Sequence, residues 1–213
     1  MAPIAKRPST ANYLISEAKG MYRSRDAGTV INESGTDTLL PGSLLGRLTT
    51  GSATATADSE NTGNPTIGTI TVASEALIGT YVLTFLTATT FSVARPDGVL
   101  LTNGATGTAY NQGGLGFTVT VGVTPAEEGD AFTIAVSQRV GDYTRHTLGE
   151  SDGSQTVAGI LFEEVAPGAT EERTITCRDC EVNGAHLIYA AGSTGANIDT
   201  ANAALLALGI VVR

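Results

Sequence analysis

Tryptophan is absent from the 213 residues, aromatics make up only 5% of them, and just two are cysteine. Two cysteines cannot build the disulfide framework of a small secreted domain. Charged side chains, at 15%, fall below the usual ~25%, which excludes a chain that is one charged disordered tail. Acids outnumber bases 21 to 12, and the net charge of −9 argues against general nucleic-acid binding. No apolar run approaches the ~18–20 residues of a membrane helix. The opening stretch MAPIAKRPSTANYLISEAKG has early positive charge but lacks the apolar run of about 7–15 residues that a signal peptide carries. A soluble protein that folds in a reducing cytoplasm, with no membrane and no nucleic acid as partner, is expected.

What the chain has in quantity is glycine, 26 residues, and threonine, 32. The first is turn chemistry; the second is β-branched and suits a pleated, half-buried surface. The length allows one large domain or two small ones, at about 100–150 residues each. Charge is unevenly spread. Within residues 1–25, Lys6, Arg7, Lys19, Arg23 and Arg25 face the single acid Glu17, a net +4 that leaves −13 for the remainder. A cationic arm on an acidic body fits either docking onto a partner or a solvated terminus. Apolar residues recur in it (Tyr13-Leu14-Ile15, then Met21-Tyr22), and disordered tails are poor in these. The arm therefore reads as an extended segment that orders on contact with a partner.

Leu39-Leu40-Pro41-Gly42 reads as a turn and residues 44–48 as a short strand. Residues 51–63, GSATATADSENTG, have the small, polar texture of a linker. Strand signals follow, with apolar residues at alternate positions: Ile70/Val72, Tyr81/Leu83/Phe85, Phe91/Val93, Phe117/Val119/Val121 and Phe132/Ile134/Val136. Pro96-Asp97-Gly98 supplies a turn. Such strands, with no helical pattern between them, predict a small antiparallel sandwich holding one base, Arg95, and seven acids. Beyond Ser137, residues 155–165 and 171–182 read as strands and 185–190 as another apolar run. Residues 200–208 read as a short helix, N-capped by Asp199 and stopped by Gly209, and 210–212 as a closing strand. The expected fold is mainly β. It comprises an arm over 1–30, a loop-rich mixed β core over 31–50 and 138–213 with a short C-terminal helix, and an antiparallel β-sandwich inserted over 51–137.

Few groups of residues could carry chemistry. Gly149-Glu-Ser151-Asp-Gly153 has the GxSxG spacing of a nucleophile elbow, and Asp179 and His186 follow in the right order. That motif requires a strand turning into a helix, whereas loop and strand follow here. Cys177-Arg-Asp-Cys180 lacks the second ligand pair of a structural zinc site, with His146 and His186 at unrelated spacings. On one strand the two cysteines would sit about 10 Å apart on opposite faces. Asp58 to Gly63 echoes the start of a calcium loop, but its twelfth position is Thr69 instead of Glu. The glycine-rich stretch 111–116 has no phosphate-loop lysine and reads as a turn or bulge. No enzyme activity, cofactor or metal is expected.

Three stretches together resemble the lambda-type head decoration proteins of tailed bacteriophages: LISEAKGMYRSRDAGTV over 14–30, LLPGSLLGRL over 39–48, and the span from Asp152 to the end with DGSQTVAGILFEEV, RDCEVNGAHL and ANAALLALGIVVR. The resemblance covers about residues 1–50 and 138–213. It departs from the family at Cys177 and Cys180, which replace small or aliphatic residues, and at 51–137, which the simplest members lack. That segment looks like Thr-rich β modules of other phage structural proteins, with a Phe-x-Val-x-x-Pro-Asp-Gly core beginning at Phe91.

The resemblance implies a homotrimer on the outer surface of the expanded head, assembled in the host cytoplasm. There it would clamp neighbouring major capsid protein subunits against the pressure of packaged DNA. The expected capsid-binding residues are Tyr13, Leu14, Ile15, Ser16, Lys19, Arg23 and Arg25. Strand addition by the arm and charge pairing by its bases would carry the contact. The alternatives are a surface-displayed sandwich that binds carbohydrate or a host receptor, and a tail or adhesin subunit that forms rings or fibres. For the first, the aromatics Tyr81, Phe85, Phe91, Tyr110, Phe117 and Phe132 are expected in the core, which leaves little for sugar stacking.

Overall fold

The computed structural model describes residues 8–20 and 23–213. Along the chain run β1 (Leu14–Glu17), β2 (Arg25–Ile31), β3 (Leu44–Arg47), β4 (Ser52–Ala57), β5 (Thr66–Ile67), β6 (Thr71–Val72), β7 (Gly79–Phe85), β8 (Thr90–Ala94) and β9 (Gly104–Ala105). There follow β10 (Ala109–Gln112), β11 (Leu115–Thr120), β12 (Ala131–Gln138), β13 (Tyr143–Arg145), β14 (Val157–Leu161), β15 (Thr170–Thr176), β16 (Cys180–Val182), α1 (Gly195–Ala207) and β17 (Ile210–Val212). Strand accounts for 41% and helix for 8%, so the fold is mainly β with one short C-terminal helix, as expected. The described residues divide into two compact units, one running to Leu48 and resuming over Asp142–Arg213, the other Thr49–Gly141.

In the first unit, β13, β2, β15, β14 and β3 close into a barrel. Its longest ladder is β2 on β15, antiparallel from Arg25↔Thr176 to Ile31↔Thr170. Val30, Leu39, Leu45, Leu161, Val165 and Ile175 form one of the unit's cores. Gly46 on β3 admits no side chain, because a Cβ there would lie 2.5 Å from the Ser154 backbone. A separate three-stranded sheet has the order β1-β16-β17. Helix α1 sends Ala201 and Leu205 into a second core with Tyr13, Val182 and Ile210.

The helix begins more than a turn before its expected start. Thr194 is the N-cap, in a reciprocal capping box with Asn197, so Asp199 lies inside the helix. The expected stop holds: Gly209, at φ 79°, takes up the left-handed conformation just past the C-terminus. Residues 171–182 are likewise two strands in place of one. The break falls at Cys177–Asp179, where Asp179 adopts φ 47°.

In the second unit, one antiparallel sheet has the order β4-β12-β7-β8-β9; β10-β11-β5 form another, with β6 also on β11. Both feed one core containing Tyr81, Leu83, Phe85, Phe91, Val93, Tyr110, Phe117, Phe132 and Ile134. Phe91 holds Phe85 at 6.0 Å, Tyr110 at 5.6 Å and Phe117 at 6.2 Å between ring centroids. The alternating aromatics thus lie inside, where their spacing assigns them. Residues 52–57 are a strand, however, and no linker. Ala53 and Ala55 pack against the core while Thr54 and Thr56 face solvent, a period of two hidden by side chains too small to register as a hydrophobic pattern.

Asp130 anchors this unit from within, being 5% exposed. It accepts hydrogen bonds from the amides of Thr62 (2.9 Å), Gly63 (2.9 Å) and Glu127 (3.0 Å) and from the Thr62 hydroxyl (3.3 Å). The calcium-loop-like stretch is therefore a turn tied to a carboxylate of its own chain. Desolvation alone would raise the Asp130 pKa; the hydrogen bonds outweigh it and hold the carboxyl below the usual aspartate value.

Candidate functional site

The residues expected to bind the capsid cluster around β1, and that strand is built from Tyr13. Its side chain is fully buried, 0% exposed, and its hydroxyl shares a 2.7 Å hydrogen bond with the Thr176 hydroxyl. Burial drives the phenol pKa well above its ordinary value. With Tyr13 anchored, the following residues pair antiparallel with β16, Leu14 opposite Val182 and Glu17 opposite Cys180, with a bulge between Leu14 and Ser16. The bulge leaves Ile15 54% exposed.

Two ionic clusters fasten the strand. The Glu17 carboxylate accepts from Arg25 through both its oxygens, at 2.7 Å to Nε, and from the Ser24 hydroxyl at 2.7 Å. Those bonds, Arg25 first, hold the Glu17 pKa below the usual glutamate value. The Arg25 guanidinium also lies 4.0 Å above the centre of the Phe162 ring, a cation–π contact. At the outer end, Ser16 donates to Glu181 at 3.1 Å, and Arg213 reaches the same carboxylate at 2.6 Å.

The seven expected residues therefore separate. Tyr13 is a core side chain, Leu14 packs against that core, Arg25 is held by Glu17 and Phe162, and Ser16 is exposed but bonded to Glu181. Ile15, Lys19 and Arg23 are exposed. Lys6, Arg7, Met21 and Tyr22 lie outside the described residues. A segment that orders only on contact is thus a correction for 13–17: the buried Tyr13 ring and the β16 ladder already fix it within its own chain. The partners that sequence reasoning missed are Thr176, Phe162, Glu181 and Arg213, all far away along the chain, with no local spacing to betray them.

The groups weighed for catalysis do not converge. Ser151 sits in a turn with no helix after it. Asp152 accepts from Ser154, and His186 bonds Asn12 at 3.3 Å. Cys177 and Cys180 are free thiols, and burial pushes the Cys180 pKa up to about 12. Among the described residues no cluster of three or more His, Cys, Asp or Glu is placed to hold a metal. The glycine-rich stretch is the β10–β11 hairpin turn, with Gly113 and Gly114 at φ 60° and 81°. A groove of about 460 Å³ beside it is lined by Thr71, Glu75, Asn111 and Gln112 among others, with no aromatic side chain.

By comparison with known proteins, the chain falls among the structural proteins of bacteriophage heads. More narrowly, it belongs to the family of bacteriophage lambda head decoration protein D, which matches residues 3–210. Membership implies a place in the virion capsid and association with it. No curated protein matches. Among solved structures, FlgL of Xanthomonas campestris is 23% identical over 47% of this chain and 34% of its own, at TM-score 0.34. The flagellar hook junction protein FlgK of Burkholderia pseudomallei is 20% identical over 62% of this chain and 22% of its own, at TM-score 0.36. The chain thus spans about a third or less of those proteins, and such scores lie below those of chains that share an overall fold.

Proposed function

We propose that the protein cements the expanded phage head. It binds the outer surface as a homotrimer and ties neighbouring major capsid protein subunits together against the pressure of packaged DNA. The observation that carries this reading is the family match over residues 3–210, which takes in β1 and both units. The contact is made through the outer edge of β1 and the exposed Ile15, Lys19 and Arg23 beside it. An extended capsid segment adds to that edge through main-chain hydrogen bonds, each netting about 0.5–1.5 kcal/mol. One such contact is weak; three on one trimer act together, and multivalency raises avidity by roughly 10²–10⁴. Lys19 and Arg23 set encounter rate and register more than strength, since exposed ion pairs contribute only about 0–1 kcal/mol. In this reading Thr49–Gly141 is an inserted two-sheet sandwich. Its aromatics are core residues, which disfavours the carbohydrate-binding alternative.

The test adds purified protein to expanded, undecorated heads. Saturable binding, with rupture shifted to higher temperature or stronger osmotic shock, is the expected result. Failure to bind at saturating concentration overturns the proposal.

A further inference from the structure

Strand β4 is the outermost strand of its five-stranded sheet, and among the described residues no strand pairs with its other side. At six residues it is also the longest such edge; β1, β10 and β17 have four, four and three. The register with β12 shows which groups face outward. Thr56 lies opposite Thr133, Ala57 lies opposite Phe132, and the Asp58 amide donates to the Ala131 carbonyl at 3.0 Å. In an antiparallel ladder this alternation turns the main-chain groups of Thr54 and Thr56 toward β12. It turns those of Ala53, Ala55 and Ala57 away from it. β6 approaches β4 without pairing with it, crowding Gly51, where a Cβ would lie 2.7 Å from the Val72 carbonyl oxygen.

Exposed edges in natural sheets are normally protected by lysine, proline or a bulge pointing outward. Residues 52–57, Ser-Ala-Thr-Ala-Thr-Ala, contain no charge and no proline. The segment 53–57 also reads the same in both directions. Laid antiparallel on a second copy about Ala55, it sets Thr54 against Thr56 on the solvent face and alanine against alanine on the core face. Threonine opposite threonine is a favourable cross-strand pair. Asp58 then faces Ser52, so no like charges meet within the pair.

We propose that the outer edge of β4 pairs with the same edge of a second copy of this chain, antiparallel about a two-fold axis at Ala55. The five-stranded sheets of the two copies become one sheet of ten. Thr49–Gly141 carries seven acids against Arg95 and Arg139, so the copies repel at long range and added salt strengthens their association. The inference concerns the protein in solution and stands or falls independently of head binding.

The test is sedimentation of the full chain across concentration and salt. The expected result is reversible association in whole multiples of the basal mass, beginning at twice it, that grows with salt. Ala55→Pro removes an outward amide without touching the β12 ladder, and Thr54→Lys with Thr56→Lys places charge on both solvent-facing positions; each weakens association by about tenfold or more. Two variants guard against misfolding of either one. Conversely, Thr54→Cys with Thr56→Cys brings cysteines opposite each other across the axis, and mild oxidation yields a covalent dimer. A single basal mass at the highest attainable concentration, association that both edge variants leave intact, or no cross-link from the cysteine pair would each overturn the proposal.

Discussion

Replacing Tyr13 with alanine tests whether the N-terminal strand belongs to the folded core. The ring is completely enclosed among residues that include Leu44, Ile160, Val182, Leu187 and Leu205. Truncating a buried aromatic to alanine costs about 3–5 kcal/mol. The Thr176 hydroxyl, also at 0% exposure, loses its partner, and an unsatisfied buried group adds about 1–3 kcal/mol. The two contributions overlap, so about 4–6 kcal/mol is expected, a large share of a typical total of about 5–15 kcal/mol. Tyr13→Phe keeps the ring and costs only about 1–2 kcal/mol, through the lost hydrogen bond. Denaturant unfolding gives the energy, and hydrogen exchange at residues 180–182 reports whether β16 loses its neighbour. If Tyr13→Ala moved neither the unfolding midpoint nor the exchange at 180–182, the strand would be an appendage, and the reasoning from its burial would be wrong.

Other outcomes follow from the same contacts. Asp130→Asn places an amide donor against backbone N–H groups that now meet a carboxylate oxygen. Unfolding of Thr49–Gly141, followed by hydrogen exchange at β7 and β12, should lose about 2–4 kcal/mol, while Asp58→Asn should change it by well under 1 kcal/mol. Reversing two exposed charges, Lys19→Glu with Arg23→Glu, should leave melting unchanged and lower the on-rate to heads, most clearly at low salt; an unchanged on-rate would move the contact elsewhere. Acid should destabilise the protein in two stages. His146 is buried and its pKa is lowered by desolvation, so its stabilising contribution is present above about 6.5 and declines below it. Glu17 and Asp130 are also lowered, so theirs are present above about 4 and are lost as pH falls through their depressed folded values. Melting temperature measured from pH 8 to 3 should stay flat, dip below 6.5 and fall again below 4. A rise anywhere in that descent would contradict the assignment.

Much of the fold is legible from residues with enough apolar bulk to mark a face. Tyr81, Leu83 and Phe85 alternate with exposed or half-exposed neighbours, and all three are fully buried on β7. The same logic failed at β4, where alanine fills the inward positions and leaves no hydrophobic signal. It failed at the helix start because the capping box uses Asn197 where glutamate or glutamine is usual, which left Asp199 as the most obvious cap. Over 171–182 one strand was expected because nothing local announces the left-handed Asp179. In the candidate site, the local sequence identified a segment of mixed apolar and basic character. It could not distinguish the inward Tyr13 from the outward Ile15. That distinction rests on Thr176 and the β16 ladder, which only tertiary structure brings to the arm.

Arg47 at the end of β3 stands opposite Tyr143 at the start of β13, and the Leu48 amide donates to the Asp142 carbonyl at 2.8 Å. The backbone leaves and re-enters the barrel at neighbouring points, in the geometry of an ordinary hairpin mouth. Everything from Thr49 to Gly141 thus occupies the place of a tight turn. A short Asn-Gly closure could stand in for it, and so could an unrelated cargo whose two ends lie equally near each other. At that mouth the barrel's own pairing runs unbroken up to the residues where the chain departs and returns, so its closure draws on no hydrogen bond from Thr49–Gly141.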